Sequence, residues 1–482
     1  MVQKLLWMLL LLSTVAIAAE ESNATRAYTN LPLKEALRLA NRHNIEIDIA
    51  EFDRQIARLG VKVARGYNFG KVDASVMGLR SNDAGNVFGF KLQSREATFL
   101  DFGFDQFLGA FGQAMMNPDG NMGDFNTFAQ NFGNPQAQQQ LLETVPDKLN
   151  NPDPRNHFDV KVRYTIPLYT GFKLSRYKQI AEDMAKMARL DKQKVEAQKS
   201  FEVRKTYYDI SLLDKFEHDL STIKSNIEHL RDATLEFKKE GYAKKTDLME
   251  VESKLSNVDR MLFEARANRE LSYDFLSFLL DHKVKSIKHV SLDTFDCKIP
   301  LANVLKRNRD IKKAEMGLDI QSKMVDVSKA AFQPEVGAFA EYGSSDNTFL
   351  GNFQEHDRYT VGVQAKMNLF SGGSDYYKLQ QEKLKRLKVK RQVELAKKGI
   401  TLKYKKITTE IANADKQVES LKKELALAQQ IYENYQERYK EGLASINDVV
   451  IKQSEQIEKL LKLLKTQNIR NQKILEVYRL AY

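Results

Sequence analysis

Two short phrases constrain the fold of this 482-residue chain more than any bulk property. KEGYAKKTDL runs from Lys239 to Leu248, and KEGLASINDV from Lys440 to Val449. Gly241 and Gly442 lie 201 residues apart, and so do Asp247 and Asp448. The same spacing separates VKVRYTIPLYTGFKLSRY, beginning at Val160, from VGVQAKMNLFSGGSDYY, beginning at Val361. One spacing kept across separate landmarks marks an internal duplication, which shared coiled-coil composition alone would not produce. Upstream, LPLKEALRLANRHNIEI from Leu31 matches IPLANVLKRNRDIKK from Ile299 at a spacing of 268. The change from 268 to 201 places an insertion in the first copy, between about residues 80 and 157.

Each copy has the same order of elements. A short helix and a longer one come first (32–43 and 45–68; 300–308 and 310–332). A strand, a connection and a second strand follow, then a very long helix, the Lys-Glu-Gly phrase and a returning helix. The chain therefore reads as a first repeat, 20–298, with the insertion 80–157 and a helical hairpin 173–281, and a second repeat, 299–482, with a strand pair 336–370 and a hairpin 374–480.

The long helices show a heptad seam. Leu213, Phe216, Leu220, Ile223, Ile227, Leu230, Thr234 and Phe237 alternate three and four apart in the first copy. Ile411, Ala414, Val418, Leu421, Leu425, Ala428, Tyr432, Tyr435 and Tyr439 do so in the second. No proline interrupts either helix, and the segment 173–239 spans roughly 100 Å at 1.5 Å per residue. The strands alternate with period two. Tyr359, Val361, Val363, Ala365, Met367 and Leu369 interleave with polar residues, as do Val160, Val162, Tyr164, Ile166 and Leu168. Their partners are about 72–79 and 336–342. Ten-residue strands with one apolar and one polar face fit a membrane β-barrel. They also fit a soluble sheet packed on helices.

The N-terminus decides in favour of the barrel. MVQKLLWMLLLLSTVAIAAEES has Lys4, an apolar run from Leu5 to Leu12 and a small-residue end, the pattern of a secretory signal peptide over 1–19. The run is short of the roughly 20 residues that a spanning helix needs. No later stretch is long and uncharged enough to serve, so any spanning falls to strands. Four strands cannot close a barrel, and open edges are not tolerated in lipid. The chain must pool strands with copies of itself. Three chains give twelve strands and an aqueous lumen, with dimer or tetramer closure also possible on this argument.

Composition excludes other classes. The balance is 75 basic against 64 acidic residues, net +11, but the signs are interspersed, as on solvated helix faces. No nucleic-acid partner is implied. The single cysteine, Cys297, allows no intrachain disulfide. The seven histidines show no HxxxH or HExxH spacing, so no metal site is expected. No nucleophile–base pair or phosphate loop appears, so neither an enzyme nor a cofactor is expected.

This organisation resembles the TolC-like family of outer-membrane efflux and secretion proteins. The resemblance rests on LPLKEALRLANRHN, on TIPLYTG and KMNLFSGG closing each second strand, and on the tips KEGYAKKTD and KEGLASIND. It covers residues 30–480 apart from the insertion. It implies a mostly α protein with a trimeric 12-stranded outer-membrane β-barrel, four strands per chain, continued by a periplasmic α-helical coiled-coil barrel. It further implies that the chain is the exit duct of a tripartite efflux system in a Gram-negative cell, partnered by a periplasmic adaptor and an inner-membrane RND or ABC transporter. Gly241, Asp247, Gly442 and Asp448 then mark the hairpin tips where an adaptor docks, and Pro167, Gly171 and Gly372 the strand-to-helix junctions. Asp448 is expected to form an anionic pore constriction; its other reading is helix capping alone, which also stands for Asp247. Position 451, where the family can carry a second acidic ring, is Ile451. The insertion is expected as a long, partly mobile outer loop, or as a plug or partner surface. Two alternatives stay open: the duct of a type I protein secretion system, and a soluble periplasmic coiled-coil scaffold.

Overall fold

The computed structural model describes residues 27–116, 119–290 and 299–481. The expected signal peptide and Cys297 lie outside the described residues. The elements run α1 (Leu33–His43), α2 (Ile45–Gly66), β1 (Lys71–Ser81), α3 (Ala84–Gln93), α4 (Phe104–Ala114), α5 (Phe125–Phe132), α6 (Pro135–Leu142), α7 (Asp147–Asn150) and β2 (Arg155–Thr170). They continue with α8 (Lys173–Lys239), α9 (Lys245–Leu280), α10 (Leu301–Arg307), α11 (Arg309–Lys329), β3 (Glu335–Asp346), β4 (Asp357–Lys366), α12 (Ser374–Lys440) and α13 (Ile446–Ala481). Two compact units emerge, each drawing on both repeats. One holds residues 183–320, 386–482 and the N-terminal segment to Arg58; the other holds 59–182 and 321–385.

In the helical unit, α8 and α12 are 67-residue helices and α9 and α13 are 36-residue helices. The expected seam is the core. Leu220, Ile223, Ile227 and Leu230 of α8 pack with Val251, Val258 and Leu262 of α9 and with Tyr432, Val449, Ile457, Leu460 and Leu464 of the second hairpin. Cross-helix ion pairs flank it, such as Lys224–Asp259 (2.7 Å) and Lys459–Glu424 (2.7 Å). A second cluster gathers Leu31, Ala36, Leu39 and Ala40 against Val203, Tyr207, Ile210, Leu276, Leu279 and Leu280.

The other unit is a four-stranded antiparallel sheet in the order β1-β2-β3-β4, so β1 and β4 are both edges. β2 is longer than expected, starting at Arg155 and ending at Thr170. It passes a register shift between Pro167 and Tyr169, because proline cannot donate to the ladder and sits at a bulge. β4 is shorter than expected and stops at Lys366, leaving Met367 and Leu369 outside it.

The insertion is helical rather than a long loop. Its Phe-, Gly- and Asn-rich composition suggests a loop, but local caps start helices. Asp83 accepts from the Asn86 amide (3.0 Å), and Asp124 from the Thr127 amide (2.9 Å). Asn134 accepts from the Gln136 amide, with Pro135 at the first helical position. Phe107, Phe111, Phe128 and Phe132 form a chain of ring contacts joining α4 to α5.

Candidate functional site

The sheet supplies a candidate channel wall. Its register places Ala74, Val162, Tyr342 and Tyr359 in one row, and Val72, Tyr164, Ala340 and Val361 in the next. In these rows one face is apolar across all four strands, and it turns polar in the next, where Val76 and Val160 lie beside Ser344 and Asp357. Within a single chain it is uncovered: Val361 is 71% and Val363 69% exposed. The opposite face carries Asp73, Arg163, Glu341 and Thr360 in register. Arg163 meets Glu341 at 3.2 Å, Lys161 meets Asp159 at 3.1 Å, and Lys71 meets Asp73 at 2.8 Å. A sheet with one hydrocarbon face and one ion-paired face separates lipid from water, provided that its edges are closed.

The junction residues take distinct places. Pro167 pairs opposite Gly337 at the bulge. Gly171 follows β2 with φ +59, and Gly372 precedes α12 with φ +63, conformations that an L side chain rarely adopts. A β-carbon on Gly171 would lie 2.7 Å from the Gln333 side chain, whereas Gly372 faces open space.

The hairpin tips of the helical unit are near copies. α8 ends with Gly241 at φ +80, the Tyr242 amide donating to the Phe237 carbonyl (2.7 Å) and the Gly241 amide to Lys238 (3.2 Å). α12 ends with Gly442 at φ +74, Leu443 donating to Arg438 (2.7 Å) and Gly442 to Tyr439 (3.0 Å). Both are left-handed glycine terminations of the Schellman type. Across each turn an Asp closes a capping box. Asp247 accepts from the Lys244 amide (2.8 Å). Asp448 accepts from the Ser445 amide (3.1 Å) and hydroxyl (2.7 Å), while its own amide donates to that hydroxyl (3.2 Å). The Ser445 bonds, with weaker help from Lys452 and Arg438, hold the Asp448 carboxyl below the usual range. Asp448 therefore fixes the start of α13 and carries a half-buried negative charge there. Phe237 and Tyr439 pack edge to face at 5.7 Å, and Thr234 bonds to Tyr439, so the two tips brace each other.

Among the described residues, one group could hold a cation by type: Glu96, Asp346 and His356, with ligand atoms within 4.8 Å of one another. The Arg155 guanidinium pairs with Glu96, and Asp346 accepts from the Asn352 amide (2.9 Å) and from His356. With a guanidinium already on Glu96, the group reads as a buried network tying the insertion to the β3–β4 connection. Arg95, donating to the Glu355 and Asp357 carbonyls, strengthens that tie.

Sequence reasoning missed a duplicated pair. Asn44 donates to the Leu279 carbonyl (2.9 Å) and Asn308 to the Leu480 carbonyl (2.8 Å), while each side-chain oxygen caps the next helix. These asparagines lie 264 apart, not 268, because α1 has 11 residues and α10 only 7. The signal was the Asn shared by RHNIE and KRNRD.

Comparison with known proteins supports the same assignment. Residues 301–481 match the family model described as outer membrane efflux protein. No curated protein matches the chain by sequence. Among solved structures, the chain is similar to CusC (12% identity, 96% of this chain and 95% of that one, TM-score 0.74). It is also similar to VceC from Vibrio cholerae (12%, 93% and 96%, 0.70) and to the CmeC outer membrane channel of Campylobacter jejuni (15%, 96% and 90%, 0.67). The second repeat matches the outer membrane efflux proteins, and the chain as a whole has the fold of outer-membrane channels, as the resemblance to the TolC-like family implies.

Proposed function

We propose that this chain is one protomer of a trimeric outer-membrane exit duct of a Gram-negative tripartite efflux system. The observation that carries the reading is the sheet with two open edges, one apolar face and one ion-paired face. Such a sheet is stable in lipid only when β4 of one copy pairs with β1 of the next until the ring closes. The duct is passive, and its residues have no catalytic role. Cargo is chosen by an inner-membrane pump, reached through a periplasmic adaptor that docks at the tips around Gly241, Asp247, Gly442 and Asp448. Three copies of Asp448 narrow the periplasmic end and make it anionic, so cations are held there and anions are repelled. A duct for type I protein secretion is the less favoured reading, because the second repeat matches efflux proteins.

The test is reconstitution of detergent-extracted protein into planar bilayers. Discrete ohmic steps, with block by divalent cations added on the helical side, are expected. A protein that stays soluble without detergent and never conducts would overturn the duct in favour of a periplasmic scaffold.

A further inference from the structure

The insertion joins the ends of β1 and β2 that lie opposite their connections to α2 and α8. Its first helix, α3, is capped by Asp83, two residues after the last of β1. Beyond its other end, Arg95 donates to the Glu355 carbonyl (3.2 Å) and to the Asp357 carbonyl (2.5 Å), where β4 begins. Ten residues of helix cover about 15 Å, and four strands side by side cover about 14 Å. α3 therefore crosses the sheet from one edge to the other.

Its contacts with β2 are on the charged face. Along β2 that face carries Arg163, Lys161, Asp159, His157 and Arg155, each two residues from the next. Side-chain exposure falls from 51% at Arg163 to 32% at Lys161 and 4% at Asp159. His157 is buried, and the Phe90 ring of α3 stacks flat on it, 4.1 Å away. Arg155 reaches the turn after α3, pairing with Glu96 and donating to the Ser94 hydroxyl (3.0 Å). In that turn Arg95 holds φ +54, a left-handed conformation that persists only where its surroundings fix it. The face that carries open ion pairs nearer the helices is thus roofed at its outer end.

We propose that α3 and the turn through Glu96 form the outer constriction of the duct, latched across the wall of each copy by the Arg155–Glu96 pair and the two Arg95 bonds. The inference rests on the three-copy ring. Twelve tilted strands enclose a ring roughly 24 Å across its backbone. A helix packed on a wall takes up about 10 Å of depth, so one on each third of the wall fills most of the opening. The duct then selects at both ends, by charge at the tips and by width at the mouth. A small or extended solute passes. A bulky one passes only when the latch releases, and it is barred from entering in reverse. Polar bonds at a half-buried rim suit a latch, because water can replace them when the helix lifts.

Thiol labelling from outside tests it. Thr360 and Val361 are neighbours on β4 with opposite faces: Thr360 lies in the row of Arg163 and Glu341, deeper than α3, and Val361 on the apolar side. Intact cells producing the full-length chain with Cys297→Ser and Thr360→Cys are treated with fluorescein maleimide or with a trimethylammonium methanethiosulfonate. The small cation should reach Thr360→Cys and the dye should not. Glu96→Arg should speed labelling by the dye roughly tenfold or more, and Arg155→Glu added to Glu96→Arg should slow it again. That rescue separates an opened latch from a misfolded one. If the dye labels Thr360→Cys at the same rate with and without Glu96→Arg, or if Arg155→Glu does not slow it, the constriction is wrong and the duct stands. If both reagents reach Val361→Cys and neither reaches Thr360→Cys in any variant, the charged face does not line the lumen, and the duct reading falls as well.

Discussion

Gly171 and Gly372 are equivalent residues in the two repeats, yet a β-carbon would burden them unequally. Both hold positive φ, which costs a non-glycine residue about 1–2 kcal/mol. Only Gly171 also has a neighbour, Gln333, inside van der Waals reach. Gly171→Ala should therefore lower the midpoint of thermal unfolding in detergent more than Gly372→Ala does; equal losses would show that space at Gly171 is irrelevant. Asp448 carries a pH prediction. Its carboxyl is held below the ordinary value by the Ser445 bonds, so its capping contribution is present above the unfolded pKa, about 3.9, and is lost as pH falls through the lower folded value. Asp448→Asn should fray the start of α13 at neutral pH, read as faster proteolysis near the tip. The difference from the parent should vanish only below the usual carboxylate range. The glycines were legible in sequence because positive φ leaves few other choices. Asn44 and Asn308 were not, because a cap that also reaches a carbonyl on another helix depends on a neighbour hundreds of residues away.

Elements were legible to the degree that their period was long. The four great helices begin and end within a residue or two of expectation; a heptad seam and a glycine stop bound α8 and α12, whereas α9 stops at a left-handed Asp281. The strand limits were less so, because pairing partners decide them: β4 ends at Lys366 opposite Glu335, the first residue of β3, and β2 gains length from a bulge at Pro167. The insertion was misread as a loop because bulk composition outweighed three short caps. The first helices of the repeats differ by one turn, and the contacts around them have moved accordingly. Tyr207 donates to the Leu31 carbonyl (2.7 Å) and Tyr404 to the Ile299 carbonyl (2.8 Å). Those tyrosines are 197 apart rather than 201, a shift of one turn that matches the shorter α10. Asn308→Ala removes a buried bond and a cap together, and should cost about 1–3 kcal/mol in denaturant unfolding. Asn44→Ala should cost a similar amount, and a null result at either would mean that the cap is replaced by water.

At the scale of the molecule, duplication is what made the architecture readable, since each repeat is a check on the other. Ion pairs between helices far apart in sequence, such as Glu51–Lys192 and Lys194–Asp310, were not readable, because they leave no periodic trace. The wall makes its own prediction. Glu341 faces Arg163 and Lys161 on the charged side of the sheet. Glu341→Gln should shift the reversal potential of reconstituted channels toward anions, and an unchanged potential would place that face outside the lumen. The equal lengths of the hairpins, 67 and 36 residues in both repeats, have a consequence of their own. In the three-copy ring proposed above, hairpins of matched length would present a docking partner with an even rim instead of a staggered one. Length is then inherited in pairs. Removing one heptad from both helices of a single hairpin should abolish efflux while the channel still assembles, and the matching deletion in the other hairpin should restore it. The two halves of the gene are free to drift in sequence, but they are obliged to keep the same ruler.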